Sequence, residues 1–591
     1  MAFFSQNKFV RELQGQNEII IIEEPVSIDL EITEITDRIM KSDQYNKALL
    51  FVNNGTEFPL LINAFGTEKR MSIALNTSDI DVLQKKVEKL ISLITSKQDG
   101  ILAQLKLLPQ VLQIGKWMPK KVKGKGECQQ VVMKEPDTGA LPVLKCWPHD
   151  GGPFFTLPCV HTINPLNEIT NVGMYRMQVF SKDTVGMHWH KHKTGARHFD
   201  IYKKLNKRMP IAVTLGGDPA YTYVSIAPMP ENMNEYILAG FLRNKPVKLV
   251  KCLTNDLWVP SDVDFVIEGY IDPTEDFVLE GPFGDHTGFY SLTDYYPRMH
   301  ISAITHRENA IFPATIVGIP PMEDAVIARV TEKIFLPPVK FVMVPEMIDM
   351  HLPTWGVAHN LAIISIKTQY EGQSYKVAQA IWGAGQMMFT KAIILVDETI
   401  DVGDYQQILN EITRKLRKAS QLFFTKGVAD VLDHAVDQRG IGTKICIDLT
   451  ADFDVTTSKT PEKKVAFYYI PCEENIDFDS KPFQNDPDFD FGVVLEPSIE
   501  KLSIEQKLWY MLNNIDPMRD IHVKEIDGSL KIIVDGRTKT DSERWPNIVT
   551  MDEVTIKNVD EKWGRLFDFP FIPSPSKELL HLTKGDKAEL Y

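Results

Sequence analysis

The sequence predicts a mixed α/β protein of several domains, in which a β-rich region separates two α/β regions. The chain of 591 residues is longer than one simple domain, and this length indicates ~3–4 folding units. Gly and Pro punctuate short strand-like segments between residues 128 and 325, whereas continuous apolar strands alternate with helix-like segments beyond them. We therefore expect an α/β domain (1–118), a β-rich domain (119–325) and a C-terminal α/β domain (326–591).

The composition is that of an ordinary soluble globular protein. Apolar residues make up 43% of the chain and charged residues 24%. The formal net charge of −14 argues against nucleic acid as a partner, because phosphate binding requires a basic surface. No apolar segment reaches the ~18–20 residues that cross a bilayer, and the first residues lack the pattern of an export signal. The six cysteines are scattered without a Cys-x-x-Cys pair, so we expect a reduced, cytoplasmic enzyme.

The first region alternates a β-prone segment with amphipathic segments. Ile19–Glu23 is predicted as a strand, and Leu30–Met40 and Asp79–Ile94 have the apolar spacing of helices. The basic stretch Lys116–Lys125, which Pro and Gly interrupt, is interpreted as a linker. Nothing in this region indicates chemistry, and we interpret it as a covering domain.

The stretch Asn171–Phe199 concentrates polar residues on a predicted β-hairpin. Residues 173–180 and 185–190 have strand-like composition, and the polar residues 181–184 predict the turn between them. Alternate side chains of a strand share a face. On the first strand this alternation groups Met174, Arg176, Gln178 and Phe180, and on the second, if it extends that far, His188, His190 and His192. Such a hairpin could hold an anion and a metal ion, although a single Arg or His on a strand is more often solvated.

Two carboxylates flank a shaped loop within Leu279–Tyr290. Gly-Pro-Phe-Gly separates Glu280 from Asp285, and these residue types allow a bent backbone that directs both carboxylates to one place. Near an arginine such a pair forms an acid/base set, because the arginine keeps one carboxyl ionised while its neighbour raises the pKa of the other. A third acid, Glu235, is expected at the start of a helix. With Asn171 and a histidine it would form an O/N/O site for Mn²⁺ or Mg²⁺, whereas each acid alone could be a helix cap or a surface ion pair.

The region beyond residue 325 alternates buried strands with helices, as in a doubly wound domain with a parallel sheet. The predicted strands are Leu361–Lys367, Lys391–Asp397 and Lys444–Leu449, and the predicted helices between them are Ser374–Met388 and Tyr405–Leu416. A further helix at Ile504–Asn513 and a strand at Leu530–Val534 are expected. Residues 552–566 predict a last amphipathic helix, which either makes a subunit contact or packs on its own domain.

A series of segments resembles, in the same order along the chain, the motifs of the UbiD family of prenylated-FMN-dependent decarboxylases. They are Gly152–Thr162, Asn171–Phe199, Gly216–Ala220, Glu235–Arg243, Val250–Pro260, Glu268–Ile271, Glu280–Tyr290, Gly318–Ala325 and Thr390–Asp401. The resemblance implies an N-terminal α/β region, a split β-barrel flavin-binding domain and a C-terminal doubly wound α/β domain with a terminal assembly helix. Residues 451–540 have no counterpart in shorter members, and we interpret them as an insertion.

The resemblance also implies the cofactors and the residues that hold them. Prenylated FMN would be bound through a divalent metal, typically Mn²⁺, with a K⁺ ion nearby. The implied metal ligands are Asn171, Glu235 and His192, with Lys193 as the rival to His192. The implied cofactor contacts are Met174, Tyr175, Arg176, His188, Trp189, His190, Lys193 and Thr194.

Arg176, Glu280 and Asp285 match the catalytic triad of the family. Arg176 would bind the substrate carboxylate through its planar fork, Asp285 would return a proton to the carbon, and Glu280 would hold Arg176 and relay protons. Asp at the last position resembles the quinone-pathway branch, since cinnamate-type members have Glu there.

The implied function is non-oxidative decarboxylation of a hydroxylated aromatic acid, with a ubiquinone or menaquinone precursor as the favoured substrate. A catabolic or reversible phenolic-acid or other aromatic-acid (de)carboxylase is the alternative within the same chemistry. A flavin-binding carrier without catalysis and a plain metal hydrolase are alternatives of other classes. The implied partners are a flavin prenyltransferase and further copies of the chain, in a dimer or hexamer, and a prenylated substrate would add peripheral contact with a membrane.

Overall fold

The structure is a computed structural model that describes residues 2–3, 5–95, 115–450, 464–486, 488–526, 528–539 and 545–590. The chain forms two compact units. The first contains Met1–Val330 and Ile548–Ala588, and the second contains Thr331–Asn547 and Glu589–Tyr591. Within the described ranges, no helix combines the length and the apolar character needed to span a membrane.

The first unit begins with a small α/β layer. Its elements are α1 (Gln6–Gly15), β1 (Ile19–Ile22), α2 (Glu31–Met40), β2 (Ala48–Phe51), β3 (Leu60–Ile62), α3 (Glu68–Ala74) and α4 (Ile80–Thr95). The predicted strand and both predicted helices are confirmed, and their ends differ from the predictions by one residue at most. The four-isoleucine run of β1 pairs with β2 in parallel, which places two of its side chains in the core.

The β-rich region contributes the remaining strands and three helices of the first unit. The strands are β4 (Lys120–Lys121), β5 (Val131–Val132), β6 (Phe154–Phe155), β7 (Cys159–Ile163), β8 (Thr170–Met174), β9 (Met177–Ser181), β10 (Thr184–Gly186), β11 (Met209–Leu215), β12 (Lys248–Lys251), β13 (Trp258–Pro260), β14 (Phe265–Ile271), β15 (Val278–Glu280), β16 (Phe283–Gly284), β17 (Tyr290–Ser291), β18 (Asp294–Tyr296), β19 (Arg298–His306) and β20 (Phe312–Pro313). The helices are α5 (Thr194–Lys204), α6 (Pro219–Ile226) and α7 (Glu235–Arg243).

The connections in this region depart from the sequence prediction at two points. The stretch 116–125, expected to be a linker, contains β4, which pairs with β12 in parallel. The late strand β20 joins β3 and so becomes the fourth strand of the N-terminal sheet. Both pairings join segments more than a hundred residues apart, which local sequence patterns do not encode.

The large sheet has nine strands in the order β6-β9-β10-β19-β14-β11-β7-β8, with β5 on β19, and all of its pairs are antiparallel. Only Tyr175 and Arg176 connect β8 to β9, although these strands lie six strand spacings apart in the sheet. Six spacings of a flat sheet measure about 29 Å, whereas a link from Met174 to Met177 spans at most about 11 Å. The sheet therefore curls until its two ends approach each other, as in a split barrel, and Arg176 lies at the seam.

The hairpin predicted in Asn171–Phe199 is present but shorter than expected. β9 and β10 pair around a turn at Lys182 and Asp183. The second strand ends at Gly186 instead of residue 190, so the histidines that follow lie on an irregular segment before α5.

The second unit contains two sheets with parallel centres. α8 (Glu323–Val342) includes the last residues of the first unit and the first residues of the second. The other helices are α9 (Gln373–Trp382), α10 (Tyr405–Lys415), α11 (Lys481–Asn485), α12 (Ile504–Asn514) and α13 (Pro517–Asp520). The strands are β21 (Met347–His351), β22 (Leu361–Ile366), β23 (Ala392–Asp397), β24 (Leu422–Val428), β25 (Ile441–Asp448), β26 (Val465–Tyr469), β27 (Phe491–Leu495), β28 (Ile521–Ile526) and β29 (Ser529–Asp535).

The first sheet of this unit follows the order β21-β22-β23-β25-β24, and its three central strands are parallel, which confirms the doubly wound prediction. The second sheet, in the order β26-β27-β29-β28, lies within the predicted insertion, whose first residues (451–463) are outside the described part of the chain. The helix α9 ends at Trp382, earlier than predicted, and a short 3₁₀ turn follows it.

The last helix, α14 (Glu553–Leu566), packs on α2 in the first unit. Arg38 of α2 is fully buried there, and its Nε donates to Oε1 of Glu34 over 2.7 Å. Its two terminal nitrogens donate to the backbone oxygens of Ile556 and Ile572. The sequence assigned this helix to the C-terminal domain (326–591), but it packs within the first unit, because its apolar face and the partners of Arg38 lie against α2.

We expect Arg38→Ala to lower the free energy of unfolding of the first unit by about 3–5 kcal/mol, because it leaves the buried carboxylate of Glu34 without its cation. Urea unfolding followed by circular dichroism measures this loss. Lys557→Ala is the matched control, since Lys557 and Glu561 form an exposed pair on α14 that contributes at most about 0.5 kcal/mol. Equal losses in both variants would contradict this account.

Candidate functional site

Arg176 is the centre of a buried ionic cluster at the seam of the split barrel. Its Nε and Nη2 donate to the two oxygens of Glu280 over 2.9 and 3.1 Å, which is a bidentate pair. Its Nη1 donates to Oδ2 of Asp285 over 2.5 Å, and Nη2 also donates to the hydroxyl of Ser291. The ring of Phe283 covers the guanidinium at 4.6 Å. The three residues predicted to form a catalytic triad therefore lie together.

The two carboxylates are positioned by nested hairpins instead of the single loop that was expected. Glu280 ends β15, which pairs with β18, and Asp285 follows β16, which pairs with β17. Gly281 has a φ of +94°, a conformation that favours glycine. Gly284 packs so closely on Trp147 that a Cβ there would lie 2.3 Å from the indole ring. These glycines allow Glu280 and Asp285 to approach Arg176 from two sides.

Asp150 and Gln178 fix the position of these hairpins, and of the two only Asp150 lies outside the predicted motifs. Oδ1 of Asp150 accepts the backbone N–H of Gly284 over 2.7 Å, and its Oδ2 accepts the N–H groups of Cys146 and Trp147. The side-chain oxygen of Gln178 accepts the N–H of Gly281 over 2.7 Å. Gln178 was predicted to share a face with Arg176, and both side chains do reach the same hairpin.

Burial works to raise the pKa of both acids, but their partners outweigh it. The charge of Arg176 lowers the pKa of Glu280 to about 2. Hydrogen bonds from His286 and the charge of Arg176 hold the pKa of Asp285 well below its ordinary value. Burial also works to lower the pKa of Arg176, yet the two carboxylates raise it above its ordinary value. The cluster therefore holds one positive and two negative charges at neutral pH.

A pair of histidines extends the cluster from Glu280. Nδ1 of His188 lies 2.9 Å from Oε2 of Glu280, and its Nε2 lies 2.8 Å from Nε2 of His190. Burial, and then the charge of Arg176, lower the pKa of His188, so its ring is neutral. The ionised Glu280 only accepts hydrogen bonds, so His188 donates from Nδ1 and accepts from His190 at Nε2. The predicted grouping of these histidines holds although they do not lie on a strand.

Asn171 and Glu235 form a second group, in which Asn171 lies on the edge strand β8 and Glu235 begins helix α7. Oε2 of Glu235, the first residue of α7, accepts the N–H of Val172 next to Asn171 over 3.0 Å. Burial raises the pKa of Glu235 to about 7. Among the described residues no cationic side chain pairs with this carboxylate. A buried carboxylate in this setting fits a divalent cation, which would hold it in the ionised form.

The third predicted metal ligand is either His192 or Lys193. His192 lies beside His190, with ring centroids 5.7 Å apart, and Lys193 precedes α5 as its N-cap residue. In the described part of the chain, no three His, Cys, Asp or Glu side chains are arranged as a metal site. The predicted ligand set is of a different kind, because it includes the amide of Asn171. The choice between His192 and Lys193 stays a prediction.

The remaining predicted cofactor contacts lie around the end of β8 and the start of α5. Tyr175 and Trp189 are buried and meet edge to face at 6.0 Å, and the hydroxyl of Tyr175 accepts the N–H of Gly195 over 3.4 Å. Met174 ends β8, and Thr194 is the first residue of the eleven-residue helix α5. The N-terminus of a helix favours an anion, because its first N–H groups have no partner within the helix.

The chain matches three domain models of one enzyme family and is similar to proteins of other organisms. Models of the N-terminal, the central Rift-related and the C-terminal domain of 3-octaprenyl-4-hydroxybenzoate carboxy-lyase, named UbiD, match residues 10–90, 120–320 and 325–449. An uncharacterized protein of Aquifex aeolicus is 42% identical over 443 residues, which cover 75% of this chain and 90% of that protein.

Two solved structures share the fold. The vanillic acid decarboxylase of Sedimentibacter hydroxybenzoicus, in its closed form, has a TM-score of 0.67 at 24% identity and covers 82% of this chain and 98% of its own. The UbiD-class enzyme HmfF of Pelotomaculum thermopropionicum was solved in complex with FMN. It has a TM-score of 0.64 at 21% identity, and the match covers 78% of this chain and 97% of HmfF. At these identities the likeness extends to the fold.

We expect Asp150→Asn to loosen the hairpin that carries Asp285. The amide would turn an N–H₂ group toward at least one backbone N–H donor, and an unsatisfied buried donor costs about 1–3 kcal/mol. Amide hydrogen exchange at Gly284 should therefore accelerate by about tenfold or more. Asp183→Asn, in the exposed turn between β9 and β10, is the control. Unchanged protection of Gly284 would show that Asp150 does not fasten the hairpin.

Proposed function

Because the chain belongs to the UbiD family of carboxy-lyases, we propose that it removes CO₂, without oxidation, from a hydroxylated aromatic acid. The observation that carries this proposal is the buried cluster of Arg176, Glu280 and Asp285. A buried arginine needs only one carboxylate as a structural partner, so an ion pair alone does not explain the second buried acid. A site that binds a substrate carboxylate and returns a proton needs both an arginine and a separate acid.

Prenylated FMN, bound through Mn²⁺ with K⁺ nearby, is the cofactor we propose. When bound, it supplies the electron sink that loss of CO₂ from an aromatic carbon requires. Asn171 and Glu235, with His192 or Lys193, would hold the metal. The N-terminus of α5 at Lys193 and Thr194 is suited to the flavin phosphate, and Tyr175 and Trp189 would support the ring from the barrel seam.

Arg176 would orient the substrate, but not through its fork. Glu280 occupies the fork, and four of the five N–H donors of Arg176 are engaged by Glu280, Asp285 and Ser291. The remaining donor, on Nη1, is the one available to a substrate carboxylate. The bidentate binding suggested by the sequence is therefore replaced by a carboxylate that shares Nη1 with Asp285, and this places the departing group beside the acid.

Asp285 would protonate the substrate carbon. Each turnover breaks the bond between the ring carbon and the carboxylate carbon, releases CO₂ and consumes one proton at the ring carbon. The pKa of Asp285 is held below its ordinary value, so the acid gains its proton only when the arriving substrate carboxylate adds a further negative charge. Glu280 stays ionised and keeps Arg176 in place.

Two substrate classes fit this proposal. A ubiquinone or menaquinone precursor is favoured by the matching family description, which names 3-octaprenyl-4-hydroxybenzoate, and by aspartate at position 285. A smaller phenolic acid is the second candidate, because the fold is shared with a vanillic acid decarboxylase. The enzyme would work in the cytoplasm as a homo-oligomer and receive its cofactor from a flavin prenyltransferase. Peripheral membrane contact belongs to the first class alone.

We expect protein produced together with a flavin prenyltransferase to release CO₂ from members of one of these two classes. Asp285→Asn should retain flavin but lose turnover by about 10²–10⁴-fold, the usual contribution of a general acid. CO₂ release and flavin absorbance measure the two properties. Asp276→Asn, an exposed acid before β15, is the control. Native turnover in Asp285→Asn would remove the proton-donor role, and flavin binding without CO₂ release on any acid would indicate a carrier.

We expect Glu235→Gln to lose both manganese and flavin, because a neutral amide cannot balance a divalent cation at this buried position. Metal analysis and flavin absorbance after desalting measure this loss. Glu231→Gln is the matched control, since Glu231 lies four residues earlier and forms an exposed pair with Arg197 over 2.8 Å. Native metal and flavin content in Glu235→Gln would reject the metal assignment.

A further inference from the structure

His286 lies beside Asp285, the proposed proton donor, and has no part in the catalytic steps proposed above. Its Nδ1 lies 3.0 Å from Oδ1 of Asp285, and its backbone N–H donates to the same oxygen over 2.8 Å. The other oxygen of Asp285, Oδ2, accepts from Arg176. The two oxygens of the acid thus face two different partners, a guanidinium on one side and an imidazole on the other.

A proton cannot reach Asp285 by way of Arg176. The contacts of the cluster join Glu280 to Asp285 through the guanidinium, and a guanidinium does not give up its protons in a protein. His188 contacts Glu280 through Nδ1 and His190 through Nε2, so this histidine pair adjoins the acid on the other side of the guanidinium from Asp285. The Oδ1 side of Asp285, which faces His286, therefore offers a proton route that does not cross the guanidinium, and the relay through Glu280 stays a prediction.

His286 has the position and the surroundings that such an entry requires. Its side chain is 28% exposed, compared with 11% for Asp285 and 8% for Arg176, so it is the member of the group that solvent reaches most easily. A second acid, Asp324 at the start of α8, also acts on it: burial raises the pKa of Asp324, and His286 lowers it. The Arg176, Glu280 and Asp285 cluster carries one net negative charge, which a cationic imidazole balances.

We propose that His286 relays protons from solvent to Asp285 during turnover. In this step the Nδ1–H bond of the imidazolium breaks, its electron pair stays on Nδ1, and an O–H bond forms at Oδ1 of Asp285. The neutral imidazole then takes its next proton from solvent. The inference rests on the proposed decarboxylation, which consumes one proton per turnover at the substrate carbon.

The relay is tested with His286→Asn and His286→Ala in the flavin-loaded enzyme. Asparagine still offers a hydrogen-bond donor to Oδ1 but has no transferable proton, so it separates positioning from proton transfer. We expect kcat to fall about 10²-fold in both variants with little change in KM. Added imidazole should restore kcat in His286→Ala in proportion to the concentration of its cation. The relay is overturned if His286→Asn keeps the native kcat, or if His286→Ala does not respond to imidazole.

His300→Asn is the matched control, since His300 is 26% exposed and pairs with the carboxylate of Glu275 over 2.8 Å, away from the cluster. Its kcat should equal that of the native enzyme. Flavin absorbance and circular dichroism of every variant establish that the site and the fold are intact. If the native enzyme released no CO₂ from either substrate class, the proposed function would fail, whereas a loss confined to His286 variants concerns the relay alone.

Discussion

The pairing of Arg176 with two buried acids is the interaction on which the site depends. A guanidinium at the seam of the barrel is tolerated only because Glu280 and Asp285 neutralise it, and each acid is tolerated only because Arg176 is there. The closure of the sheet brings Arg176 to the seam, and the nested hairpins bring the acids to it. The burial of each charge in this cluster therefore depends on the other two.

The same geometry gives the cluster two sides with different surroundings. On one side, Glu280 accepts hydrogen bonds from the guanidinium of Arg176 and from the neutral ring of His188. On the other, Asp285 lies between Arg176 and a partly exposed imidazole, where its protonation state can change. The buried carboxylate of Glu235 lies at the start of helix α7, next to strand β8, and among the described residues no cationic side chain pairs with it, in contrast to the two acids bound to Arg176.

Much of this arrangement could be predicted from local sequence patterns. Strand alternation placed Arg176 and Gln178 on one face, and Gly-Pro-Phe-Gly predicted a bend that directs Glu280 and Asp285 together. The break at Tyr175 and Arg176 could not be predicted, because it results from the curvature of the whole sheet. Asp150 was missed since the peptide it fastens lies 134 residues later. The strand expected to reach His190 stops early because Met187 lies opposite Pro297, which accepts its N–H but has no N–H to return, and Trp189 then donates back to Met187.

The order in which the ribosome synthesises the chain delays the completion of the first unit. The unit that carries the site takes its last helix, α14, from residues made after Thr331–Asn547 of the second unit. Arg38 and Glu34 emerge early, yet the backbone oxygen of Ile556 that accepts from Arg38 emerges more than five hundred residues later. At ~5–20 residues per second the nascent N-terminal region waits roughly half a minute to two minutes for its final layer. During that interval its apolar helix surface is a natural target for chaperones.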